Sequence, residues 1–255
     1  MLLTDGNVKN CTVNLKWIHL ETVTSTNSYL QARIHQGTGP EEMLVIADFQ
    51  EHGRGQGENG WVSDKAQNLL MSMLLYPEFL SASRQFQLTI ATSLAVCDTL
   101  QELEVTPSIK WPNDILTATG KMAGILIENG ILGKEISHSI IGIGLNVNQV
   151  SFPRFPVPAT SLAKEKPGRY DPVSLAGILE KNFTTRYDQL KSGMEGSLKE
   201  VYLNRLLGLD QHVRCSSAGA DFTGIIRGIN EFGELLVEKE GKLRAYGMHT
   251  IRFAL

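Results

Sequence analysis

Several features that define common classes of protein are missing from this chain of 255 residues. Its 3 cysteines, Cys11, Cys97 and Cys215, lie far apart, so they indicate no disulfide framework and favour a reducing compartment. No apolar run approaches the ~20 residues of a membrane-spanning helix, and the first residues lack the basic and apolar pattern of a secretory signal. These absences predict a cytoplasmic protein that has no membrane partner.

The chain also lacks an excess of positive charge. Lys and Arg total 24 and Asp and Glu total 27, so the formal net charge is −3. Binding to nucleic acid depends on basic patches that neutralise phosphates, and the sequence contains no basic block. The 6 histidines are scattered, and no pair has the spacing of a zinc site. We therefore expect neither a nucleic-acid partner nor a zinc ion.

The order of apolar patterns predicts an α+β fold. Alternating or continuous apolar runs indicate strands, and apolar residues at helical spacing indicate helices. These patterns predict strands at residues 15–20, 43–49, 68–76 and 108–111, and helices at 24–34, 84–103, 171–190 and 195–207. Turn signals at Thr119-Gly120 and Asn129-Gly130 divide residues 115–147 into strands, and the proline-containing stretch 151–170 is predicted to be a loop.

The C-terminal stretch has a different pattern and predicts a second domain. From Gln211 onward, short alternating strands are separated by turn residues at Gly219, 230–233 and 240–241. A unit of ~45 residues with this pattern is typical of a small antiparallel barrel, which gains stability by packing on a neighbour. We therefore place a boundary near Gly208, between domains at residues 1–208 and 209–255.

Glycine is concentrated at residues 53–60, where the sequence is Gly-Arg-Gly-Gln-Gly-Glu-Asn-Gly. The spacing of Gly55, Gly57 and Gly60 matches the dinucleotide motif G-x-G-x-x-G, but that motif opens a helix, whereas a loop and a strand follow here. A flexible surface loop is the commonest structure for such a segment. We favour a third interpretation, a loop that folds over an anion, because Arg54 supplies a cation and glycines let backbone amides approach closely.

A second motif, Lys110-Trp-Pro-Asn-Asp114, follows a short strand. Proline ends the strand, and by spacing alone an Asn-Asp turn with Trp111 in the core is the more common structure. The functional alternative is a phosphate and metal site, in which Asp114 binds Mg²⁺ and Lys110 offsets phosphate charge.

Two further motifs contain glycine residues within predicted strands. Gly120-Lys-Met-Ala-Gly124 begins a strand after a turn, and Gly142-Ile-Gly-Leu-Asn-Val-Asn148 is an apolar strand with two glycines on one face. Small residues in a strand let a ligand lie against the backbone. Lys121 alone is typical of a solvated hairpin residue, whereas Asn146 needs a polar partner from the core or from a ligand.

Taken in order, these motifs resemble the motif series of biotin protein ligases. The resemblance runs from about residue 17 to about residue 162 and rests on Thr24-Ser-Thr-Asn27, Gly53-Arg-Gly55, Trp61, Lys110-Trp-Pro-Asn-Asp114, Gly120-Lys-Met-Ala-Gly124, Gly142-Ile-Gly-Leu-Asn-Val-Asn148 and Ala159-Thr-Ser-Leu162. It implies a catalytic domain like that of class II aminoacyl-tRNA synthetases, with a mixed central sheet flanked by helices, and a C-terminal SH3-like β-barrel. Residues 1–23 are too few for a helix-turn-helix head, which predicts a short form without an N-terminal DNA-binding domain.

The resemblance implies a biotin–[acetyl-CoA-carboxylase] ligase that works in two steps. Biotin and ATP, with Mg²⁺, form biotinyl-5′-AMP and pyrophosphate, and a lysine of a biotin carboxyl carrier protein then takes the biotinyl group and releases AMP. The first step brings anions together, so the site must supply positive charge. Neither step needs a nucleophile from the enzyme, which agrees with the absence of a Ser-His-Asp or Cys-His pattern.

The resemblance also implies roles for individual residues. The catalytic residues would be Arg54, Lys121 and Lys110. Biotin would be bound by Ser25, Thr26, Asn27, Gln50, Gly53, Arg54, Gly55, Trp61, Lys121 and Gly124. ATP would be bound by Arg54, Trp61, Lys110, Trp111, Asn113, Lys121 and Asn146, with Asp114 as a Mg²⁺ ligand.

Two other functions fit the same scaffold. A lipoate- or octanoate-protein ligase shares the architecture, but the Lys-Trp-Pro-Asn-Asp and Thr-Ser-Thr-Asn segments favour biotin. A non-catalytic biotin-binding sensor is the second, and the intact Arg54, Lys121 and Asp114 argue against it. Relatives also form homodimers through an edge of the central sheet, and we expect the strand at residues 137–147 to be that edge; a monomer is the alternative.

Gln56 stands where a second loop arginine is common in biotin protein ligases, so this loop is less basic. We expect Gln56→Arg to lengthen the lifetime of biotinyl-AMP on the enzyme, because a second guanidinium would bind the phosphate group. The measurement is the rate at which labelled biotinyl-AMP leaves the enzyme. An unchanged or faster release rate would contradict this prediction.

Overall fold

The computed structural model describes residues 15–38, 41–57 and 59–254, so Cys11 lies outside the described residues. Within these ranges two β-sheets are present, one with seven strands and one with five. The seven strands are β1 (Lys16–Val23), β2 (Met43–Gln50), β3 (Leu69–Leu75), β4 (Ser108–Lys110), β5 (Asp114–Thr117), β6 (Gly120–Leu132) and β7 (Glu135–Leu145). The α-helices are α1 (Thr26–His35), α2 (Phe86–Glu102), α3 (Leu162–Glu165), α4 (Pro172–Lys191) and α5 (Glu195–Asn204), and a single 3₁₀ turn spans Ala82–Arg84.

The first sheet is mixed, as the resemblance to biotin protein ligases implies. Its strand order is β1-β2-β3-β7-β6-β5-β4, with β1 and β2 parallel and the other pairs antiparallel. β3 is buried at every position, which explains its nearly continuous apolar sequence. Its odd-numbered residues pack with α2 and α4, whereas Leu74 packs with Leu30 of α1, so helices cover both faces of the sheet.

The local sequence explains how the longest of these helices begins. Asp171 precedes Pro172, and its carboxylate accepts hydrogen bonds from the backbone N–H groups of Val173 and Ser174. Proline is well tolerated at the first helical position because its missing N–H would have no partner there. No helix in the described part of the chain is both long enough and apolar enough to cross a membrane.

Two details of the predicted secondary structure are wrong. Asn129 and Gly130 lie inside β6 instead of forming a turn, because both residues pair with β7; the register shifts after Gly130, where Ser137 of β7 is the extra residue. The chain reverses at Gly133, whose φ of 64° suits glycine. Within the predicted loop, residues Leu162–Glu165 form one helical turn.

The expectation that residues 137–147 form an edge of the sheet is also wrong. β7 lies between β3 and β6, so its residues 139–145 are already paired on both sides and are not a free edge for a second chain. The β4 edge is covered because Ile109 exchanges backbone hydrogen bonds with Arg205 and Leu207. β1 is the edge strand that stays uncovered within the described residues.

The second sheet confirms that the C-terminal stretch is an antiparallel β unit. Its strands are β8 (His212–Ser217), β9 (Ala220–Ile229), β10 (Leu235–Lys239), β11 (Lys242–Tyr246) and β12 (Arg252–Ala254), in the order β11-β10-β9-β8-β12. Among the described residues no pairing joins β11 to β12, so the sheet does not close and the SH3-like barrel stays a prediction. The unit packs on the first sheet, where Trp111 Nε1 donates to the carbonyl of Gly233 over 2.8 Å.

Candidate active site

A cavity lies on the α1 side of the first sheet, beside the carboxyl ends of β1 and β2. These parallel strands end together because their register pairs Val23 with Gln50, so the start of α1 lies next to the side chain of Gln50. The cavity is lined by Ser25, Thr26, Asn27, Gln50, Arg54, Gly55, Gln56, Asn59, Gly60, Trp61, Met71, Asn113, Asp114, Lys121, Gly124, Ile125, Leu126, Gly142, Ile143 and Gly144.

One wall of the cavity is a polar cluster formed by Thr26, Asn27 and Gln50, of which Thr26 and Asn27 are buried; the buried Ser72 does not line the cavity but bonds to both of them. Gln50 Oε1 accepts from the Thr26 backbone N–H over 2.8 Å and from the Thr26 hydroxyl over 3.0 Å. The Ser72 hydroxyl lies 2.6 Å from both Thr26 Oγ1 and Asn27 Oδ1. Buried polar groups need such partners, and a bound ligand with both donors and acceptors can join this network at its cavity side.

The floor of the cavity is made by glycines on two adjacent strands. The register pairs Gly124 of β6 with Gly144 of β7, and Gly142 lies on the same face. A Cβ at Gly144 would overlap the indole of Trp61, and one at Gly124 would lie 3.0 Å from Trp61 Cζ3. The Trp61 ring therefore rests directly on the backbone, and its buried Nε1 has no hydrogen-bond partner among the described residues.

Two cations face the cavity, and each is paired with a carboxylate. Arg54 Nη2 lies 2.7 Å from Glu128 Oε1 and Nη1 lies 3.1 Å from Oε2, whereas Lys121 Nζ lies 2.6 Å from Asp114 Oδ1. The side chains of Arg54 and Lys121 are 46% and 30% exposed. Pairs this accessible to solvent stabilise a fold by only about 0–1 kcal/mol, so their placement matters more for a ligand than for folding.

The backbone of Lys121 is held at two points. Its N–H donates to the carbonyl of Pro158 over 2.7 Å, and its carbonyl accepts from the backbone N–H of Thr160 over 3.0 Å. The side chain of Asn146 adds a third contact, since Nδ2 donates to the carbonyls of Lys121 over 3.3 Å and Thr160 over 2.9 Å. These bonds direct the Lys121 side chain towards the cavity.

A carboxylate fixes the turn that precedes Lys121. Glu165 accepts hydrogen bonds from the hydroxyls of Thr117, Thr119 and Thr160. Burial acts to raise the pKa of Glu165, but these hydroxyls favour the ionised form and leave its pKa below the ordinary value. Glu165 therefore links the turn that carries Thr117 and Thr119 to the segment around Thr160, which also hydrogen-bonds to the Lys121 backbone.

The glycine loop closes on itself and touches the second sheet. Gly55 N–H donates to the carbonyl of Asn59 over 2.8 Å, and Trp61 N–H donates to the carbonyl of Gly53 over 2.9 Å. Gln56 Nε2 lies 3.3 Å from the sulfur of Met248, in the connection between β11 and β12. The loop thus forms a cover between the cavity and the C-terminal unit.

Half of the chain matches a known protein family. Residues 19–146 fit the model of the biotin/lipoate A/B protein ligase family. The chain belongs to this family. The bifunctional ligase/repressor BirA of Bacillus spizizenii is 31% identical over 90% of this chain and 71% of the relative, and the biotin–[acetyl-CoA-carboxylase] ligase of Mycobacterium tuberculosis is 30% identical over 89% of this chain and 85% of the relative.

A solved structure of the family has the same architecture. The biotin protein ligase from Aquifex aeolicus in complex with biotin and ATP superposes with a TM-score of 0.79 at 26% identity, covering 94% of this chain and 98% of that chain. The similarity confirms the predicted ligase-like catalytic fold, in which helices flank a mixed central sheet.

Most of the residues predicted for a ligase site line this same cavity. They come from the start of α1, the end of β2, the glycine loop and the β5–β6 hairpin: Ser25, Thr26, Asn27, Gln50, Arg54, Gly55, Trp61, Asn113, Asp114, Lys121 and Gly124. Residues from separate segments of the sequence are thus neighbours in the fold. Asn113 faces the cavity while its Nδ2 donates to the carbonyl of Ile125 over 2.7 Å.

Four predicted residues are not among those that line the cavity: Gly53, Lys110, Trp111 and Asn146. Lys110 and Trp111 face the C-terminal unit, where Lys110 Nζ lies 5.7 Å from the ring centroid of Phe253 and Trp111 donates to Gly233. Gly53 closes the glycine loop, and Asn146 binds backbone carbonyls. None of the four lines this cavity, and their predicted roles in binding and catalysis stay predictions.

Two residues that organise the site escaped the motif-based prediction. Ser72 is the single polar residue in β3, whose sequence is Leu-Leu-Met-Ser-Met-Leu-Leu, and a buried hydroxyl in such a strand signals a required partner. Glu128 follows the apolar residues Ile125–Ile127 on β6 and carries no motif. Gly142 and Gly144 were noted for permitting close approach, and they do line the cavity.

Among the described residues, the site has no thiol nucleophile and no ready-made metal cage. Burial raises the pKa of Cys97 to about 12, which keeps this thiol protonated, and burial also raises the pKa of Cys215. No group of three His, Cys, Asp or Glu side chains in the described ranges could hold a metal. Asp114 fits Mg²⁺ only in the manner of a nucleotide site, where one carboxylate is joined by phosphates and water.

We expect Gly144→Ala to destabilise the protein by roughly 1–3 kcal/mol, because the new methyl group overlaps the Trp61 ring and must displace it. The measurement is urea unfolding, with tryptophan emission as a second probe. Gly177→Ala on α4 is the matched control, since no atom lies within 4 Å of its added Cβ and it should stabilise by roughly 0.5–1 kcal/mol. Wild-type stability and emission in Gly144→Ala would disprove the packing of Trp61.

Proposed function

We propose that this protein is an ATP-dependent ligase that activates biotin as biotinyl-5′-AMP and transfers it to a lysine of a biotin carboxyl carrier protein. The observation that carries the proposal is the convergence of Arg54 and Lys121 on a cavity that is also lined by the polar side chains of Thr26, Asn27 and Gln50. Two cations suit a reaction that joins a carboxylate to a phosphate, and the polar wall suits an uncharged ring with hydrogen-bonding groups. Relatives named as biotin ligases support the same activity.

The first step is an attack of the biotin carboxylate on the α-phosphorus of ATP. A new bond forms between the carboxylate oxygen and phosphorus, and the bond from phosphorus to the bridging oxygen breaks, so that pyrophosphate leaves. Negative charge accumulates on the phosphoryl oxygens, where Arg54 and Lys121 stabilise it. Mg²⁺, held by Asp114 together with the nucleotide phosphates, would neutralise part of the triphosphate charge.

In the second step the ε-amine of the acceptor lysine attacks the acyl carbon of the mixed anhydride. The bond from acyl carbon to phosphate oxygen breaks, AMP leaves, the amine loses a proton and an amide remains. No enzyme nucleophile takes part, which is consistent with the lack of a cysteine among the described residues that line the cavity. Reactants held side by side in one cavity need only orientation and charge stabilisation.

The polar cluster supports biotin as the acid that is activated. Ser25, Thr26, Asn27 and Gln50 would bind the ureido ring, with the backbone of Gly124 alongside, while Asn113 and Trp61 would contact the nucleotide side. Lipoate carries an apolar ring that would make no hydrogen bonds with these polar groups, which disfavours it. Gly53, Lys110, Trp111 and Asn146 would act by holding the loop, the C-terminal unit and Lys121.

The proposal also covers the domain organisation of the chain, its location in the cell and its protein partner. Gly208 has a φ of 79° and lies between α5 and β8, which supports a boundary between domains at residues 1–208 and 209–255. We propose that the C-terminal unit is an SH3-like cap and that the protein acts in the cytoplasm, on the carrier domain of a carboxylase.

The function is tested by incubating the protein with ATP, Mg²⁺, labelled biotin and a biotin carrier domain. We expect label on one acceptor lysine, together with release of pyrophosphate and AMP. Labelled lipoate in place of biotin should give little product. Transfer of lipoate in preference to biotin, or binding of biotin without pyrophosphate release, would overturn the assignment.

We expect Arg54→Ala and Lys121→Ala each to slow biotinyl-adenylate formation by at least about 100-fold, because each removes charge stabilisation at the reacting phosphate. Both side chains are partly exposed, so thermal unfolding should change little. Arg169→Ala and Lys191→Ala, which remove exposed cations elsewhere, are the controls. Pyrophosphate release at the wild-type rate from both cavity variants would refute the roles of Arg54 and Lys121.

A further inference from the structure

Glu128 connects the cationic side of the cavity to its polar wall. It lies on β6, on the same face as Gly124 and Leu126, and its side chain is 29% exposed. Arg54 donates to it through Nη1 and Nη2, and Asn27 Nδ2 donates to Oε2 over 2.8 Å. One carboxylate therefore holds a side chain from the glycine loop and a side chain from α1.

The geometry leaves Arg54 able to bind an anion while it stays paired. A guanidinium carries five N–H donors, and Glu128 uses one on each terminal nitrogen. Three donors remain for a ligand, including the one on Nε. A bidentate carboxylate also fixes the orientation of the guanidinium plane. An arginine that rotated freely would have to adopt this orientation when the ligand binds. The pair is thus a support for Arg54 that does not compete with a ligand.

Glu128 also fixes the orientation of the Asn27 amide. Because Nδ2 faces Glu128, Oδ1 must face Ser72, whose hydroxyl lies 2.6 Å away. Ser72 in turn contacts Thr26, which donates to Gln50. A hydrogen-bonded chain therefore runs from Arg54 through Glu128 to the polar wall, and its amide orientations depend on the carboxylate.

We propose that Glu128 is a positioning residue for adenylate formation, which orients Arg54 at the reacting phosphate and Asn27 at the ring-binding wall. This inference rests on the ligase function proposed above and assigns a role to a residue that lies outside the recognised motifs. Glu128 contacts no reacting atom. It acts through Arg54 and Asn27, so its loss should lower the rate more than it weakens substrate binding.

The test is Glu128→Gln, measured by biotin-dependent ATP–pyrophosphate exchange, which reports the first step alone. We expect kcat to fall by roughly tenfold to 100-fold, with the KM for ATP changing by less than about threefold, since misorientation affects the transition state most. Glu128→Asp keeps the charge but has a shorter side chain. Its kcat should therefore lie between those of the wild type and Glu128→Gln. Glu135→Gln, which removes an exposed carboxylate on β7, should match the wild type.

A double-mutant cycle separates positioning from general structural damage. Lysine at position 54 keeps the charge but lacks the planar fork, so Glu128→Gln should cost several-fold less in the Arg54→Lys background than in the wild type, and the remaining loss is the part that acts through Asn27. Glu128 is partly exposed, and the melting temperature of Glu128→Gln should stay close to that of the wild type. Equal losses in both backgrounds would show that Glu128 does not act through Arg54.

Other outcomes are equally decisive. If Glu128→Gln catalysed ATP–pyrophosphate exchange at a rate within twofold of the wild type, the proposed role of Glu128 would be disproved. A faster rate would show that Glu128 inhibits Arg54. A loss confined to KM, with kcat unchanged, would also overturn the proposal, because Glu128 would then act in ground-state binding. Failure of the wild type itself to catalyse exchange would instead refute the ligase function.

Discussion

The position of β7 between β3 and β6 is the constraint on which the rest of the molecule depends. These three strands are the centre of the seven-stranded sheet and carry buried side chains on both faces. Their register also builds the site, because Gly144 pairs with Gly124 and Gly142 pairs with Ser72. A shift of one residue would turn the glycines and Ser72 to the opposite face and remove both the floor and the polar wall.

The cavity contains several charged side chains, but their net charge is close to zero. Arg54 and Lys121 each lie against a carboxylate, so the free site holds four charges whose total is near zero. This arrangement explains how a chain with a net charge of −3 can present cations to anionic substrates without a basic surface. It also places the cations in defined positions before a ligand arrives, which lowers the reorganisation that catalysis requires.

Much of the fold could be predicted from local sequence. The buried β3, the capped α4 and the alternating C-terminal strands each carry a periodic pattern or a capping residue that acts within a few positions. The turn at Asn129-Gly130 could not be judged in this way, because pairing with the distant β7 extends β6 beyond these residues. The edge assigned to residues 137–147 failed because strand order is set by distant segments, which periodicity does not report.

The sequence by itself determined which chemical groups are available and which segments carry them. The motifs around Arg54, Asp114 and Lys121 identified the family and most of the residues that line the cavity. Only the tertiary structure decided that Lys110 and Trp111 face the C-terminal unit and that Glu128 joins Arg54 to Asn27. The reason is physical, because side-chain contacts between distant segments depend on strand order and register, whereas spacing along the chain records only local geometry.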